Sequence, residues 1–441
     1  MADTGHNSVC KAHDALVPIL AFTREQSQQS NPPTHQATNQ PTSEPIKSST
    51  MSLGNIVVVG AGLAGLALSL RLAEIGFEVD LVERRENWER RGSAFGLAPN
   101  GIKALQELCP RVMDKLREQG ITIGLTGGLF LGWWLVRDTL LQEVIANQHI
   151  TLHMGCRLDS FDDETDPSCI KVNIVRQYGA DGEDDCAVIT LEGRLLVGAD
   201  GVHSTVRTLL QLPSAMPSGK KHWRGTIDVP EGSVLDQFLD LGLAPFSDST
   251  SAKIKEFTTG SAIIMLFNYH PKINRRMSYT FSTDQATDST THPREIFSKH
   301  FTEPEQLEIL DEIYKLADDD DMKTPLDLSV VRMDGDDDTD GWGGKGRVAI
   351  LGDAAHAMRP ASGLGGAMAF EDVVVFCRLI QDADLSTRSS AQQMAVNFAR
   401  IRSERVKKIW ESQWEIAEKS YTGEKPTLWT PDFQKWVYEG V

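Results

Sequence analysis

Residues 55–65 read Asn55-Ile56-Val57-Val58-Val59-Gly60-Ala61-Gly62-Leu63-Ala64-Gly65. The β-branched run predicts a strand that is apolar on both faces, as in the centre of a parallel sheet. It leads directly into Gly-x-Gly-x-x-Gly and then into a helical pattern. Gly60 permits the tight turn, Gly62 lets a pyrophosphate approach the backbone, and Gly65 lets the helix pack closely on the strand. The helix N-terminus offers unpaired N–H groups and a positive dipole end to phosphates.

A second predicted strand follows this helix, which we expect to end near Gly76. The strand, residues 77–83, closes on Glu83, 21 positions after Gly62. An acidic residue about 20 positions on is typical of the residue that binds the adenosine ribose of a dinucleotide. Because a carboxylate favours a ribose with free hydroxyls, the pattern predicts FAD or NAD rather than NADP. A glycine-rich turn without a ligand is the alternative interpretation.

Another glycine-rich segment lies far downstream. Residues 346–356 predict a strand that ends in the short loop containing Asp353, and Pro360-Ala361-Ser362-Gly363-Leu364-Gly365-Gly366 precedes a helix predicted from Ala367. Glycines before a helix present backbone N–H groups and a positive dipole end, which suit an anionic reduced isoalloxazine. Asp353 is suited to accept hydrogen bonds from the hydroxyls of a ribityl chain. Taken alone, a glycine-rich helix start is commonly only a turn.

The composition of the 441 residues limits the classes of partner and site. A formal net charge of −18 argues against binding to nucleic acid or to an anionic membrane surface. None of the six cysteines forms a Cys-x-x-Cys pair, so neither a zinc site nor a dithiol redox site is expected. Scattered cysteines in a large chain favour a reducing compartment, taken as the cytoplasm. No apolar run reaches the ~18 residues of a membrane span, so stable membrane insertion is not expected.

Taken together, these segments resemble the single-component FAD-dependent aromatic hydroxylases, the salicylate or p-hydroxybenzoate hydroxylase-like flavoprotein monooxygenases. The resemblance covers about residues 53–385. Its matches are the Gly60–Gly65 turn with Glu83, then residues 198–207 (Gly-Ala-Asp-Gly-Val-His-Ser-Thr-Val-Arg), then residues 352–372 with the Gly352-Asp353 loop and Glu371-Asp372. The middle, Asp-Gly element is the most diagnostic.

The resemblance implies that ten residues bind FAD: Gly60, Gly62, Gly65, Glu83, Gly96, Arg137, Asp200, Gly201, Asp353 and Gly366. Glu83 is expected at the adenosine ribose and Gly96 on the adenine side. Arg137 is expected to reach the FAD phosphates or the flavin edge. A surface salt bridge is the alternative role for Arg137.

The later matches are expected nearer the flavin. The resemblance places Asp200 and Gly201 by the pyrophosphate, where the family also brings NAD(P)H. It places Asp353 at the ribityl–pyrophosphate region and the Gly366 backbone against the flavin. His356 is either part of this site or only a packed histidine.

The fold implied is α/β: a Rossmann-type FAD-binding domain with an inserted α+β substrate domain and C-terminal helices. Two segments depart from the family pattern: residues 101–137 are shorter than usual, and the loop at 359–366 lacks the family's frequent Gly-Gln-Gly. The predicted boundaries are a disordered N-terminal tail at 1–50, the FAD-binding domain at 53–221 and 334–385, the substrate domain at 222–333 and a C-terminal helical region at 386–441.

Three features of these regions have more than one interpretation. In the tail, the apolar residues 15–22 leave organelle targeting open as an alternative location, although acidic neighbours argue against it. In the substrate domain, residues 223–225 and Tyr279 are either pocket or core. In the last region, the basic residues are interpreted as a solvated helix face rather than as a nucleic-acid site: Arg400, Arg402, Arg405, Lys407 and Lys408.

The reaction implied by the resemblance is hydroxylation of an aromatic or related small organic substrate. FAD is reduced by NAD(P)H, a transient co-substrate, and oxygen from dioxygen is transferred through a flavin hydroperoxide. The protein is expected to be a monomer or homodimer. The alternatives are a flavin-dependent epoxidase or oxidase of an isoprenoid or secondary metabolite, and a non-catalytic FAD-fold binding protein. A flavin halogenase is not favoured, because residues 132–135 do not supply its Gly-Trp-x-Trp motif.

Overall fold

The computed structural model describes most of the chain after residue 52. The described residues are 53–87, 94–119, 121–123, 127–176, 187–239, 255–259, 262–268, 275–283, 292–323, 326–333, 342–361, 363–422 and 424–441. The predicted disordered tail, the acidic segment at 334–341 and Ser362 lie outside them.

Strands and helices both occur along most of the described chain. The strands are β1 (Asn55–Val59), β2 (Glu78–Glu83), β3 (Ala94–Leu97), β4 (Ile121–Ile123), β5 (Gly128–Gly132), β6 (Ile150–Met154), β7 (Cys156–Asp162), β8 (Ile170–Arg176), β9 (Val188–Gly193), β10 (Leu195–Gly198), β11 (Met216–Asp228), β12 (Lys255–Thr259), β13 (Ala262–Asn268), β14 (Arg276–Thr283), β15 (Leu326–Val330) and β16 (Val348–Ile350). The α-helices are α1 (Leu63–Ile75), α2 (Pro99–Leu108), α3 (Pro110–Gln119), α4 (Trp133–Ile145), α5 (Thr205–Leu209), α6 (Pro293–His300), α7 (Pro304–Leu316), α8 (Asp319–Lys323), α9 (Asp353–His356), α10 (Gly365–Gln381), α11 (Arg388–Thr422) and α12 (Pro431–Glu439).

A five-stranded parallel sheet organises the larger part of the described chain. Its order is β16-β10-β1-β2-β6, the usual order of a dinucleotide-binding fold. Ile56, Val57 and Val58 of β1 are fully buried, because neighbouring strands and helices cover both faces. The prediction of a central apolar strand and of a Rossmann-type α/β domain is therefore confirmed.

Two small antiparallel sheets are inserted between strands of the parallel sheet. The sheet β3-β5-β4 lies between β2 and β6 in the chain, and β7-β8-β9 lies between β6 and β10. The second of these is an antiparallel ribbon in which β8 pairs with β7 on one side and with β9 on the other. The strands on either side of the ribbon in the chain, β6 and β10, belong to the parallel sheet.

A separate antiparallel sheet, β12-β13-β14-β11-β15, lies between β10 and β16 in the chain. It has its own apolar core with helices α6 and α7, built around Trp223, Tyr279, Phe281 and Phe297. Trp223 and Tyr279, which the sequence left between pocket and core, are fully buried in it. β11 begins at Met216, six residues before the start predicted for the substrate domain.

The C-terminal helices pack against the domain that contains the parallel sheet. Residues of α11 and Val437 of α12 belong to the same apolar core as the parallel sheet. The prediction that the basic residues of α11 form a solvated face is wrong for Arg402 and Arg405, which are buried against Glu371 and Asp372 of α10. Among the described residues, none of the helices combines the length and the apolar character needed to cross a bilayer.

Candidate functional site

Four neighbouring strands of the parallel sheet have their carboxyl ends at the same level. Val82, Val59, Gly198 and Ile350 are in register across β2, β1, β10 and β16. The ladder continues one residue further: the amides of Gly60, Ala199 and Leu351 donate to the carbonyls of Val82, Val59 and Gly198 at 2.7, 2.7 and 2.9 Å. Loops from three distant parts of the sequence therefore meet at the carboxyl edge of the sheet, where open α/β sheets bind their ligands.

The first loop is shaped by glycines with different tasks. Gly60 has a φ of +102°, and a methyl group there would lie 2.4 Å from the carbonyl oxygen of Ala199. A methyl group at Gly65 would lie 1.9 Å from the Gly60 carbonyl oxygen, so α1 can approach the turn only without a side chain. At Gly62 nothing lies within 4 Å of the equivalent position. This is the open approach to the backbone that a pyrophosphate requires.

Glu83 lies beside this loop at the end of β2. Its Oε2 accepts a hydrogen bond from the Ala61 amide at 3.0 Å, and its Oε1 accepts one from the Arg85 amide at 2.9 Å. The residue is 8% exposed. Because a carboxylate offers about four lone-pair sites, two backbone bonds leave acceptor capacity for ribose hydroxyls.

The carboxylate of Asp200 is turned towards its own helix. It accepts bonds from the Ser204 hydroxyl at 2.5 Å and from the Thr205 and Val206 amides at 2.7 and 3.1 Å, and so caps α5. Burial raises its pKa. Gly201 leaves open space where a side chain would stand. In this element the backbone at Gly201 is therefore better placed for a ligand than the Asp200 side chain.

Asp353 follows β16 and Gly352, whose φ of +59° turns the chain into α9. Its side chain is accessible to water. Burial nevertheless raises the pKa of Asp353; Asp372 adds to the effect, whereas His356 and Arg224 oppose it. A carboxylate that water reaches but that surrounding protein desolvates lies inside a cleft rather than on a convex surface.

The start of α10 lies against β3. A methyl group at Gly366 would lie 2.4 Å from the Phe95 ring, and one at Gly363 would lie 3.9 Å from the Gly96 carbonyl oxygen. Gly96 is thus a neighbour of the loop at residues 360–366, which is expected at the flavin, whereas Gly96 itself is expected on the adenine side. Helix α10 begins at Gly365, two residues before the predicted start.

Arg137 lies in α4 and is 1% exposed. Its Nε and Nη2 donate to Asp138 Oδ1 at 3.2 and 2.8 Å, and its guanidinium lies 5.3 Å from the Trp133 ring centroid. The expected reach to FAD stays a prediction, since these contacts hold the side chain within the protein. The alternative of a surface salt bridge does not describe it either, because the guanidinium is buried.

The polar face of the sheet β12-β13-β14-β11-β15 places His222, Ser282 and Thr280, which the sequence did not assign, beside Arg224 of the segment 223–225. Register pairs His222 with Ser282 and Arg224 with Thr280, on the face opposite to Trp223 and Phe281. Burial and the charges of Arg224 and Lys220 lower the pKa of His222 to about 3, so this ring is neutral at neutral pH. The alternation along β11 is a strand pattern visible in the sequence, but only the pairing shows which face is covered.

Two hydrogen bonds join this sheet to the loop after α9. Arg359 Nη2 donates to the Ser218 carbonyl at 2.7 Å, and the Val331 amide donates to the Ala357 carbonyl at 2.8 Å. Burial lowers the pKa of Arg224, and the charge of Asp353 opposes that shift. The polar face of β11 and the Asp353 loop therefore lie next to each other.

The family model described as FAD binding domain matches residues 54–133 and 131–388. The chain belongs to this family. The match includes the Gly60–Gly65 turn, the Asp200 element and the Asp353 loop, so the expectation of FAD and the resemblance to flavoprotein monooxygenases are confirmed.

Similar proteins carry monooxygenase names. The 6-hydroxynicotinate 3-monooxygenase of Bordetella bronchiseptica is 25% identical over 395 residues, which cover 80% of this chain and 90% of that protein. The kynurenine 3-monooxygenase of Salinispora tropica is 27% identical over 424 residues, covering 85% and 86%. The aurachin C monooxygenase/isomerase of Stigmatella aurantiaca is 27% identical over 398 residues, covering 84% and 92%.

Solved structures support the fold. CtdE in complex with FAD and a substrate superposes with a TM-score of 0.69 at 15% identity, covering 88% of this chain and 95% of that one. HpxO of Klebsiella pneumoniae, complexed with FAD and uric acid, has a TM-score of 0.59 at 19% identity, covering 87% and 92%.

We expect different results from substituting Gly62 and Gly65, the second and third glycines of the first motif. Gly62→Val places its side chain in open space at an extended backbone position, with φ −76° and ψ −173°. We expect a stable apoprotein whose dissociation constant for FAD, measured by flavin fluorescence titration, rises at least about tenfold. Gly65→Ala is the matched control: its methyl group meets backbone, and overpacking costs typically about 1–3 kcal/mol of stability. Unchanged FAD affinity in Gly62→Val would contradict the phosphate role.

Asp353→Asn tests whether the Asp353 charge is maintained at a cost to folding. A carboxyl group whose pKa is raised in the folded state destabilises that state progressively as pH rises from the unfolded pKa through the folded one. We therefore expect Asp353→Asn to raise the melting temperature of the apoprotein at neutral pH. The gain should vanish in acid, where Asp353 is protonated, and FAD affinity should fall. A lower melting temperature at neutral pH would contradict the assignment of the charge to a desolvated cleft.

Proposed function

We propose that this protein is an FAD-dependent monooxygenase that uses NAD(P)H and dioxygen to hydroxylate an aromatic or related small organic substrate. The observation that carries the proposal is the convergence of three sequence motifs on one edge of the parallel sheet, where the segment after Asp353 is hydrogen-bonded to a second sheet. A fold that only binds nucleotide needs the first loop. It does not need the Asp353 loop or the polar face of β11.

We infer a division of tasks among the loops that line the cleft. Glu83 binds the adenosine ribose, because it is the acidic side chain at the end of β2 beside the glycine turn. Gly62 and Gly201 admit the phosphates, because the space where a side chain would stand at each position is open. Asp353 accepts hydrogen bonds from the ribityl hydroxyls. These assignments fit FAD, which supplies the route for electrons from NAD(P)H to dioxygen when it is bound.

Substrate is proposed to bind between the flavin end and the antiparallel sheet. Arg224 and His222 are side chains of that face suited to a polar aromatic ring: one is a cation and the other a neutral imidazole. The relatives named for 6-hydroxynicotinate and kynurenine support testing nitrogen-containing aromatic acids. The cytoplasmic location, the monomeric or homodimeric state and the domain boundaries stay predictions from the sequence.

An epoxidase or oxidase of an isoprenoid or secondary metabolite is the second candidate. The relative named aurachin C monooxygenase/isomerase supports including larger, more apolar substrates in the test. The two candidates differ in the substrate that stimulates NAD(P)H oxidation, not in the FAD site.

The test is NAD(P)H oxidation by the FAD-loaded protein across pyridine carboxylates, phenols, quinolones and isoprenoids, followed by isotope labelling of the active pair. We expect slow oxidation alone, faster oxidation with a substrate, and a product heavier by one oxygen atom. Mass spectrometry under heavy-isotope dioxygen should find the label in the product. Label that comes from water instead, or no stimulation by any substrate, would show that the protein is not a monooxygenase of these classes.

A further inference from the structure

Helix α10 carries two adjacent carboxylates, Glu371 and Asp372, whose side chains are 0% exposed. A buried charge is costly unless it is paired and hydrogen-bonded. Both carboxylates are compensated by arginines of α11, yet their remaining contacts lead to different parts of the molecule. We use this difference to distinguish a residue that acts on the FAD site, Asp372, from one that acts on folding alone, Glu371.

Asp372 is bound to both ends of the Gly352–His356 segment. Its Oδ2 accepts a hydrogen bond from the Gly352 amide at 2.8 Å and lies 2.5 Å from His356 Nε2. Its Oδ1 accepts a bond from Arg402 Nε at 2.7 Å. Although burial alone raises the pKa of Asp372, His356, Arg402 and the Gly352 amide lower it overall. The carboxylate is therefore charged, and it fixes both ends of the segment Gly352–His356, which contains Asp353.

Glu371 is bound to structural groups instead. It accepts bonds from Arg405 Nε and Nη2 at 2.8 and 2.9 Å and from Asn100 Nδ2 at 2.9 Å, and Arg402 Nη1 lies 3.1 Å from its Oε2. None of these described partners belongs to residues 352–356. Glu371 is consequently a control for Asp372: it has the same helix, burial and charge, but no contact with the loop.

We propose that Asp372 is a positioning residue of the FAD site, holding Gly352 and His356 so that Asp353 faces the cleft, with Arg402 of α11 orienting the Asp372 carboxylate. Its hydrogen bonds go to the residues on either side of Asp353 in this segment, so the effect passes through the backbone at Gly352. The inference rests on the proposed contact between Asp353 and FAD. It also gives α11 a part in cofactor binding, through Arg402.

A double-mutant cycle tests this dependence. FAD dissociation constants are measured by fluorescence titration for the wild type, Asp372→Asn, Asp353→Asn and the double variant. We expect Asp372→Asn to raise the constant at least about tenfold. If Asp372 acts through Asp353, the double variant should match Asp353→Asn within about twofold, because coupled sites are not additive. The midpoint potential of bound FAD is a second readout, which Asp372→Asn should shift only while Asp353 is present.

Glu371→Gln is the matched control and should leave the FAD dissociation constant within about twofold of the wild type, although it lowers the melting temperature. An equal loss of affinity in Glu371→Gln, or effects of Asp372→Asn and Asp353→Asn that multiply, would overturn the positioning role.

Arg402→Lys and Arg405→Lys give the same comparison if Asp372→Asn does not fold. Arg402 contacts Asp372, whereas the hydrogen bonds of Arg405 to this carboxylate pair go to Glu371, so only Arg402→Lys should weaken FAD binding. Equal loss in both variants would again overturn the role. A wild-type chain that binds no FAD would instead contradict the proposed function itself.

Discussion

The hydrogen-bonded parallel ladder of β2, β1, β10 and β16 is the constraint on which the rest of the structure depends. Parallel strands place all their carboxyl ends at one edge, and adjacent strands lie roughly 4.8 Å apart. The loops after Val82, Val59, Gly198 and Ile350 are therefore neighbours, although they come from distant parts of the sequence. An insertion between these strands leaves the edge intact. The sheet β12-β13-β14-β11-β15 is such an insertion, and its polar face lies next to the Asp353 loop.

Buried ion pairs between α10 and α11 support the carboxyl edge of the parallel sheet. Glu371 and Asp372 would each be costly inside the apolar core that α10 helps to build, and Arg402 and Arg405 compensate them. The arrangement ties α11 to α10 and α10 to the loop after β16. Arg359 adds a link on the other side, through the Ser218 carbonyl and the Trp414 ring, whose centroid lies 3.4 Å from the guanidinium carbon. The segment after β16 is thus held by Asp372, which Arg402 pairs, and by Arg359.

The sequence predicted the elements that depend on local pattern. The apolar strand with its glycine turn, the helix ending at Gly76, and Glu83 at the end of β2 were all visible in residues 55–83. Contacts made across the fold were not visible. The Asp200 carboxylate looked available for a ligand, but it caps α5. Arg402 and Arg405 looked solvated, because helical spacing does not reveal a carboxylate pair on another helix. The Phe95 ring beside Gly366 depends on the packing of β3 against α10, which neither segment indicates alone.

The whole carboxyl edge of the sheet, from Glu83 to Asp353, forms a single binding site for an extended dinucleotide in the function proposed above. Comparing FAD with FMN tests this most directly, because FMN lacks the adenosine half that Glu83 is placed to bind. Titration of the apoprotein should give one tightly bound FAD per chain and FMN affinity weaker by at least about a hundredfold. Equal affinity for the two flavins would show that the glycine turn and Glu83 contribute nothing, and would contradict the central claim.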